Sequence, residues 1–569
     1  MVLTGRSAAP GVTVGSIFIY NEKKFIPGET FISADESCDH YARYLSIKEQ
    51  AKNELEEIRL SMQKVDPHKA EIFKAHQEIA DDIIINDEIN ARILIDFWAG
   101  DWAIYNVYET VMTMLAKTND IMISQRAADF NDVRALLLRL WYGQKFEGLS
   151  NLKEPVIIAA NELLPSDTAC LDKENVLAIL TETGGETSHT AIIAKSYGIP
   201  AILSIDGLLD TVKQGQQAAV NAAEGTVFLD PSDDVKIEFY EKINELMSIK
   251  EEALGFLEKE AYTSCGVKVD IGLNISGVSE EELKPHSYTD SVGLFRTEFL
   301  YMGRNTLPSE EEQFEVYKKI LENYGEKPVI IRTLDIGADK KITSIHFKHE
   351  ENPFLGIRGI RFCFDNPEIF ITQIRAALRS SAFGNLWLML PMIGSIDDIR
   401  NAKKIIEEVH DNLKTERIKT GQVKIGIMIE IPSIALISDM AAKEVDFASI
   451  GSNDLCQYLC AADKMNGAVA NYYSKYHPAV FRLIKESITA FTDAGKPVSI
   501  CGELGSDPMA VPVLLGLGLR KLSMGAASVA EVKRVIASVS LEKAKKIAQN
   551  ALSFSTASGI EKYLKSFSS

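Results

Sequence analysis

The chain has 569 residues, which at about 150 residues per domain predicts three or four domains. Hydrophobic residues make up 46% and charged residues 25% of the sequence, a composition that excludes a disordered chain. The 61 lysines and arginines against 80 aspartates and glutamates leave a net charge of −19. Such a balance argues against binding to nucleic acid or to an anionic membrane surface.

No targeting or membrane-spanning segment is predicted. The longest uncharged apolar run, from Pro508 to Leu519, is shorter than the roughly 18 residues of a spanning helix. The first residues lack a basic region followed by a hydrophobic stretch, so we expect no signal peptide. The seven cysteines are odd in number and form no C-x-x-C pair, which predicts free thiols in a reducing compartment. We therefore expect a cytoplasmic protein.

The first half of the chain predicts an α/β unit interrupted by helices. Residues 12–20 predict a strand after an N-terminal turn. From about residue 35 to residue 140, apolar residues recur at helical spacing, which predicts helices packed as antiparallel hairpins with a break at Asp66-Pro67. Between residues 155 and 231, short apolar runs separated by Gly and Pro predict strands at 156–159, 176–180, 201–203, 218–220 and 227–229. A helix from about His189 to Tyr197 lies among them, and a long connecting helix is expected over 235–260.

The last 300 or so residues alternate strand and helix patterns. Strands are predicted at 269–274, 292–296, 329–333, 387–390, 425–429, 447–450, 498–501 and 522–524. Eight strands, each followed by a helical pattern, predict a (β/α)8 TIM barrel. An open, doubly wound sheet is the alternative.

Polar side chains follow five of the predicted barrel strands. In chain order they are Arg296, Arg332, Glu430, the pair Asn453 and Asp454, and Cys501. The carboxyl ends of barrel strands converge on one face, where the loops build the active site. Any single arginine or aspartate among them could instead form an ordinary surface ion pair. Five strand ends that all carry such residues are better explained by one shared site.

The residue types indicate what this site could bind. Paired arginines present planar forks that match the oxygens of phosphate and carboxylate groups. Two separate carboxylates, Glu430 and Asp454, suit Mg²⁺, which takes few protein ligands and completes its octahedron with substrate and water. No G-x-x-x-x-G-K-[ST] loop is present, so a nucleotide is not indicated. We expect a small, phosphate-bearing substrate.

A second segment of interest surrounds His189. Glycines followed by Thr187 and Ser188 place His189 at or near a helix N-terminus, where backbone N–H groups and the helix dipole favour an anion. An imidazole in the right tautomer can act as a nucleophile. The alternative from the residues alone is that Ser188 caps the helix while His189 packs.

The segment Gly184-Gly-Glu-Thr-Ser-His189-Thr-Ala-Ile-Ile-Ala-Lys195 closely resembles the phosphohistidine signature of the phosphoenolpyruvate-utilising enzymes. Five further stretches resemble the barrel motifs of that family. They are Gly293-Leu-Phe-Arg-Thr-Glu-Phe-Leu-Tyr-Met302, Arg332-Thr-Leu-Asp-Ile-Gly-Ala-Asp-Lys340, Glu351-Asn-Pro-Phe-Leu-Gly-Ile-Arg358, Ile450-Gly-Ser-Asn-Asp-Leu-Cys-Gln-Tyr458 and Cys501-Gly-Glu-Leu504. Length and domain order resemble the enzyme I branch, which serves the bacterial sugar phosphotransferase system. The dikinase and synthase branches carry an ATP-binding domain for which this sequence has no counterpart.

The resemblance implies a role for each matching residue. In the barrel, these roles are phosphate binding by Arg296, Arg332 and Asn453 with Arg358 in support, Mg²⁺ binding by Glu430 and Asp454, and protonation of the enolate carbon by Cys501. In the N-terminal half, His189 would take the phosphoryl group on Nε2. Thr168 would hydrogen-bond the ring of His189.

The same resemblance implies the domains and partners. Residues 1–20 and 148–230 would form a swivelling phosphohistidine α/β domain, interrupted by a helical insertion at 21–147. The insertion would dock HPr, the small histidine-containing carrier that receives the phosphoryl group, and His76 lies there either in a family-like stretch or as an ordinary surface histidine. A linker helix at 231–260 would precede the barrel at 261–569, which would bind phosphoenolpyruvate and form a homodimer.

One departure from the family pattern leaves two functions open. Lys464, in Asp463-Lys-Met-Asn466, stands where the family usually has arginine, at a position expected to contact the substrate. The first hypothesis is an active phosphotransferase that passes phosphate from phosphoenolpyruvate to the carrier. The alternative is a regulatory or low-activity paralogue that binds the carrier with altered turnover.

Overall fold

The computed structural model of the chain describes residues 1–20, 25–63, 67–116, 121–144, 149, 152–164, 167–168, 171–184, 189–302, 304, 306–337, 342, 344–345, 347, 350–464 and 466–568. The chain folds as two compact units, Met1–Leu246 and Met247–Ser569. Their boundary falls inside a helix, Asp233–Leu254, that lies within the predicted connector. The finer division into four segments stays a prediction.

The first unit contains a mixed sheet. Its strands are β1 (Val2–Thr4), β2 (Arg6–Ala9), β3 (Val12–Tyr20), β4 (Val156–Ala160), β5 (Val176–Thr181), β6 (Ala201–Leu203), β7 (Gln217–Asn221) and β8 (Thr226–Leu229). They are arranged in the order β1-β8-β7-β3-β4-β5-β6-β2, with β3 to β6 parallel to one another. The prediction of a turn before residue 12 is wrong, because β1 and β2 precede it. These strands are short and pair with β8 and β6, about 200 residues away in sequence, so no local apolar run marks them.

Helices account for most of the described residues between β3 and β4, as the spacing predicts. They are α1 (Ala34–Gln63), α2 (Pro67–Ala80), α3 (Ile83–Leu94), α4 (Gly100–Ala116) and α5 (Ile121–Trp141). Helix α3 buries Ile85, Ile89 and Ile93, which lie one turn apart on the same face. Asp66, in the predicted break, lies outside the described residues, and α2 begins at Pro67. Further helices among the described residues are α6 (His189–Tyr197), α7 (Leu208–Thr211) and α8 (Asp233–Leu254).

The second unit contains a closed parallel barrel, which confirms the predicted TIM barrel and excludes the open sheet. The strands are β9 (Asp270–Ile275), β10 (Ser291–Arg296), β11 (Val329–Arg332), β12 (Leu386–Leu390), β13 (Lys424–Ile429), β14 (Phe447–Gly451), β15 (Val498–Cys501) and β16 (Lys521–Met524). Each pairs in parallel with the next, and β16 pairs with β9 to close the ring. Strands of parallel sheets are covered on both faces, which explains their nearly continuous apolar sequences.

Helices surround the barrel, and the longer ones bury one apolar face. They are α9 (Glu280–Leu283), α10 (Glu310–Tyr324), α11 (Ile360–Asp365), α12 (Pro367–Ser380), α13 (Ile396–Thr415), α14 (Pro432–Leu436), α15 (Ser438–Glu444), α16 (Ser452–Cys460), α17 (Pro478–Asp493), α18 (Val511–Gly516), α19 (Ala526–Ser538), α20 (Leu541–Ser553) and α21 (Ala557–Ser568). Short 3₁₀ turns occur at Lys284–Ser287, Thr297–Leu300, Pro353–Leu355, Ser381–Phe383, Gly467–Tyr472 and Glu503–Ser506. Ser309 and Ser395 begin α10 and α13 with reciprocal capping boxes. These caps satisfy N–H groups that the first helical turn leaves without a partner.

The cysteines and the hydrophobicity of the helices are the two features for which composition gave an expectation. The cysteines described are free thiols at Cys38, Cys265, Cys363, Cys456, Cys460 and Cys501, as expected. Cys170 lies outside the described residues. Among the helices described, none combines the length and the apolar character needed to cross a membrane.

Candidate active site

A cavity of about 470 Å³ opens at the carboxyl ends of the barrel strands. Its lining includes the cations Arg296, Arg332, Arg358 and Lys464, the acids Glu298, Asp335, Glu430 and Asp454, and the neutral residues Ser452, Asn453 and Cys501. The eight barrel residues selected from the sequence therefore meet in one cavity, and their roles stay predictions. Glu298 and Asp335 belong to the quoted motifs, but no role was assigned to either one.

The two arginines at the ends of β10 and β11 differ in their surroundings. Arg296 and Arg332 are paired in the register of these strands. Arg332 is buried and forms ion pairs with Glu298 and with Asp335, whose Oδ2 lies 3.0 Å from Nη1. Burial opposes its charge, but these carboxylates together raise the pKa of Arg332 above its ordinary value. Arg296 is exposed and has no ion pair among the described residues, so its guanidinium is available to an anion in the cavity.

Arg358 connects two acids that come from different strand ends. Its Nε and Nη2 each lie 3.0 Å from an oxygen of Asp335, in a bidentate arrangement. The same Nη2 lies 3.0 Å from Oδ2 of Asp454. Arg358 and Asp335 are buried, and a buried ion pair is stabilising only when its hydrogen bonds are complete. The bidentate geometry therefore fixes the orientation of Arg358.

A tyrosine that sequence reasoning missed holds the loop of Arg358. Tyr458 donates its hydroxyl to the carbonyl of Phe354 at 2.7 Å and accepts from Nη1 of Arg358 at 3.4 Å. It lies on α16, the helix that also carries Asp454. These contacts span about a hundred residues of sequence, so no local pattern indicates them.

Glu430 follows β13 and is almost fully buried. Its Oε1 accepts from the Met392 N–H at 2.6 Å, and its Oε2 has no hydrogen-bond partner in the described part of the chain. Burial, together with the charges of Asp335 and Asp454, raises the pKa of Glu430 to about 8. A Cβ at Gly451 would lie 3.0 Å from Oε2, so glycine there keeps the space beside the oxygen open.

Asp454 lies in the first turn of α16 and both of its oxygens meet cations. Oδ2 faces Arg358, and Oδ1 lies 3.2 Å from Nζ of Lys464. Burial would raise the pKa of Asp454, but Arg358 and Lys464 lower it below its ordinary value, so the carboxyl is ionised. The neighbouring Asn453 accepts the Glu503 N–H on Oδ1 at 3.1 Å, which leaves its amide N–H groups available as donors.

Cys501 is the last residue of β15 and lies buried at the cavity. Its Sγ lies 3.5 Å from the Ile450 carbonyl, to which the thiol donates. Burial raises the pKa of Cys501, so the thiol keeps its proton at neutral pH. The next residue, Gly502, has φ +91°, and a Cβ there would lie 2.6 Å from Oγ of Ser452. Only glycine fits this turn without strain.

The resemblance implies a Mg²⁺ ion held by the carboxylates of Glu430 and Asp454. No group of three His, Cys, Asp or Glu side chains that could hold a metal occurs among the residues the structure describes. Mg²⁺, however, is commonly held by one or two carboxylates and completes its shell with substrate oxygens and water. The unpartnered Oε2 of buried Glu430 and the ionised Asp454 are oxygen donors of this kind. The residues present therefore fit such an ion.

The second predicted site lies in the first unit. His189 is the first residue of α6, as the sequence predicts. Thr168 is fully buried, and its hydroxyl donates to the Leu164 carbonyl at 3.3 Å. The Thr190 hydroxyl lies 3.4 Å from the Leu163 carbonyl, which brings the start of α6 next to the segment of Thr168. Residues 185–188 and the side chain of His189 lie outside the described residues, so the contact between Thr168 and the ring stays a prediction.

His76 is not an ordinary surface histidine, so that alternative is wrong. Its side chain is buried, with Nε2 3.4 Å from Asp129 and 3.6 Å from Asp132. Both acids belong to α5, which packs against α2. Helical periodicity shows that residues one turn apart share a face, but it does not show which other helix covers that face.

Three domain families match the chain. The N-terminal domain of PEP-utilising enzymes matches residues 4–126, the mobile domain matches 152–225, and the PEP-binding domain matches 250–541. A phosphoenolpyruvate-protein phosphotransferase of Staphylococcus carnosus is 38% identical over 557 residues, covering 97% of each chain. One of Bacillus subtilis is 37% identical over 565 residues, covering 99% of each. One of Mycoplasma capricolum is 37% identical over 570 residues, covering 99% of this chain and 98% of its own. The chain therefore belongs to the PEP-utilising enzyme family, among the phosphoenolpyruvate–protein phosphotransferases.

Proposed function

We propose that this chain transfers the phosphoryl group of phosphoenolpyruvate to His189 and then to a carrier protein of the HPr type. The observation that carries the proposal is the convergence of cations, two carboxylates and a protonated thiol in one barrel cavity of a PEP-utilising enzyme. The reaction begins in the barrel and produces pyruvate. The carrier step would be the first step of the sugar phosphotransferase system.

The cationic side chains would bind the substrate. Arg296 has no ion pair among the described residues and is exposed to the cavity, so it can meet the phosphate directly. Arg332 and Arg358 are fixed by Glu298 and Asp335, and so present their remaining N–H groups in set directions. Asn453 would add amide donors. Lys464, a third of whose side chain is exposed, would add a mobile positive charge.

Glu430 and Asp454 would hold Mg²⁺ together with oxygens of the substrate. When bound, the ion would neutralise charge on the phosphate and on the enolate oxygen. Glu430 is proposed as a ligand because its buried Oε2 lacks a partner among the described residues. Asp454 is proposed because its pKa is lowered, so its carboxylate needs no deprotonation. Arg358 would hold Asp454 in place through Oδ2.

Cys501 would complete pyruvate. The bond between the phosphorus and the enol oxygen breaks as the bond between the phosphorus and Nε2 of His189 forms. The electron pair that stays on the enol oxygen returns a C=O bond, and the methylene carbon takes the proton from Sγ of Cys501. The resulting thiolate then regains a proton from water. The raised pKa of Cys501 supports this role, because the thiol carries its proton at neutral pH.

The helical insertion is the proposed docking region for the carrier. At the start of α3, Ile83 and Ile84 expose 75% and 81% of their surface next to acidic residues such as Asp87 and Glu88. An apolar patch with an acidic rim suits a carrier whose face is apolar and basic. A homodimer through the barrel is proposed from the resemblance alone.

The low-activity alternative depended on Lys464. Lysine keeps the positive charge at this position, and the cavity retains the other residues that the reaction needs. We therefore favour the active phosphotransferase.

The function is tested by turnover with a purified HPr-type carrier. Pyruvate release is followed through lactate dehydrogenase with phosphoenolpyruvate and Mg²⁺ in excess. We expect release to continue only when carrier is present, and to be absent in His189→Ala. In Ile83→Ser/Ile84→Ser we expect the KM for carrier to rise while phosphorylation of the enzyme itself is unchanged. Continuous release without any carrier, or release by His189→Ala, would show a different reaction.

A further inference from the structure

The two oxygens of Asp454 are held by cations of very different mobility. Oδ2 faces Arg358, which is buried and also bound through two hydrogen bonds to Asp335. Oδ1 faces only Nζ of Lys464, at 3.2 Å, among the described residues. Lysine carries a compact charge on a flexible four-carbon chain, so its ammonium can leave without disturbing the backbone.

The backbone of Lys464 is anchored, whereas its side chain is partly exposed. The Lys464 N–H donates to Oε1 of Gln457 at 3.2 Å, and Gln457 is buried on α16. The side chain remains 33% exposed, beside the cavity. A fixed backbone with a mobile ammonium allows the charge to swing between Asp454 and another anion within the same cavity.

Glu430, the other proposed metal ligand, has an oxygen to which no ammonium is bound among the described residues. Glu430 Oε2 has no hydrogen-bond partner in the part of the chain described here, whereas Asp454 Oδ1 is occupied by the ammonium. A divalent cation at these two oxygens would meet the ammonium at Oδ1 and so competes with Lys464 for Asp454. We propose that Lys464 is a positioning residue that controls access of the metal to Asp454. In the substrate-free enzyme its ammonium binds the Asp454 carboxylate and hinders binding of the divalent cation. When the anionic substrate binds, the ammonium moves from Asp454 to the substrate.

This inference rests on the proposed function, because it takes the substrate to be an anion that needs the metal. The movement of the Lys464 ammonium makes the binding of metal and substrate synergistic. Substrate that draws the ammonium away uncovers Asp454, so the metal binds more tightly, and by linkage the metal strengthens substrate binding by the same factor. In Lys464→Arg a positive charge remains beside Asp454, so this variant should still hinder binding of the metal.

The test measures Mn²⁺ binding by electron paramagnetic resonance, with Mn²⁺ as the probe and no substrate. All variants carry His189→Ala, so that phosphoenolpyruvate can later be added without being consumed. We expect Lys464→Met to tighten Mn²⁺ binding about tenfold, the effect of removing one competing charge-assisted hydrogen bond. Lys464→Arg should bind Mn²⁺ as weakly as the enzyme with lysine.

Arg296→Met is the matched control, because Arg296 is a cavity cation that is not paired with Asp454. It should change Mn²⁺ affinity by less than about threefold. Equal tightening in Arg296→Met and Lys464→Met would show a general effect of charge and would overturn the proposal, as would no tightening in Lys464→Met. Circular dichroism checks that each variant is folded.

Phosphoenolpyruvate separates this proposal from the proposed function. With Lys464 present, adding the substrate should tighten Mn²⁺ binding, and in Lys464→Met this gain should shrink about tenfold. If the substrate changes Mn²⁺ affinity in none of the proteins, the substrate assignment fails, while the arm with Mn²⁺ alone still decides whether Lys464 covers Asp454.

Discussion

Ion pairs at the barrel mouth and on the helical insertion are built from the same residue types in different surroundings. Arg358 is buried and joins Asp335, in the segment that follows β11, to Asp454 in the first turn of α16. On α3 and the residue that follows its C-cap, Arg92 pairs with Glu88 and Asp96 at 2.7 and 2.8 Å, with all three side chains exposed. Exposed pairs of this kind contribute about 0.2–1 kcal/mol, whereas removing one partner of a buried pair costs about 3–5 kcal/mol.

This difference indicates what each set of charges is for. A buried network contributes little net stability compared with an apolar core of the same shape, because desolvation offsets the attraction. Its presence at the mouth of the barrel is explained by binding, since charges fixed in advance need no reorganisation when an anion and a cation arrive. The two pairs of Arg92 are short-range contacts on a solvated helix face and need no such explanation.

The largest expected effect sharpens this comparison directly. Arg358→Met removes the cation that Asp335 and Asp454 share, while Asp335 keeps Arg332 and Asp454 keeps Lys464. Because a buried ion pair loses one partner, we expect the free energy of unfolding to fall by about 3–5 kcal/mol. Arg92→Met, its matched control on the insertion, should change it by less than about 1 kcal/mol. Urea unfolding followed by circular dichroism measures both. Similar losses in the two variants would mean that the barrel network is not special.

The second prediction concerns the proton donor. Cys501→Ser replaces the thiol by a much weaker acid, so we expect pyruvate release to slow by at least about 100-fold while the Kd for phosphoenolpyruvate changes little. Rapid-quench kinetics and equilibrium binding separate the two. Cys363→Ser, which alters a buried thiol outside the cavity lining, is the control. Equal losses of binding and release in Cys501→Ser would indicate a packing role instead.

The pH dependence of that step follows from the burial of Cys501. Burial raises the pKa of the thiol above its ordinary value, so the donor form persists below that raised pKa and is lost as the pH rises through it. We expect the rate of pyruvate release to show no decline between about pH 7 and 8.5 that depends on Cys501. A fall in this window that disappears in Cys501→Ser would contradict the assignment.

The smallest expected effect is at Lys464. Lys464→Arg introduces a planar fork that can hold substrate oxygens through two parallel N–H bonds, and we expect the KM for phosphoenolpyruvate to fall, by about tenfold at most. Steady-state kinetics at saturating Mg²⁺ and carrier measures this change. A rise in KM would mean that the pocket is adapted to lysine, and the substrate assignment would need to be reopened.

The sequence predicted the barrel well because its strands are short apolar runs, and five of the eight end in or are followed by a polar residue of the site. The apolar stretch before Arg332 and the one before Glu430 are examples of this pattern. Family motifs then identified which polar residues matter. The strands at residues 2–4 and 6–9 were missed, since their partners are distant in sequence and their own side chains carry no apolar pattern.

Contacts within the site were the least predictable feature. Asp335 could have been identified from the sequence as a residue of the site, because it follows Arg332 by three residues at the end of a strand. The contact of Tyr458 with the Phe354 carbonyl could not have been identified, since α16 and the 3₁₀ turn of Phe354 are distant in sequence and meet only after the barrel closes. The pairing of Lys464 with Asp454 likewise depends on how the chain turns after α16.

The central claim is that the barrel charges serve to phosphorylate one histidine in the other unit. It is tested most directly by incubating the full chain with phosphoenolpyruvate and Mg²⁺, without carrier, and measuring intact mass and then the modified peptide. We expect one acid-labile phosphoryl group per chain, located on His189, and none in His189→Ala. Full labelling of His189→Ala, or an acid-stable group on another residue, would contradict the account.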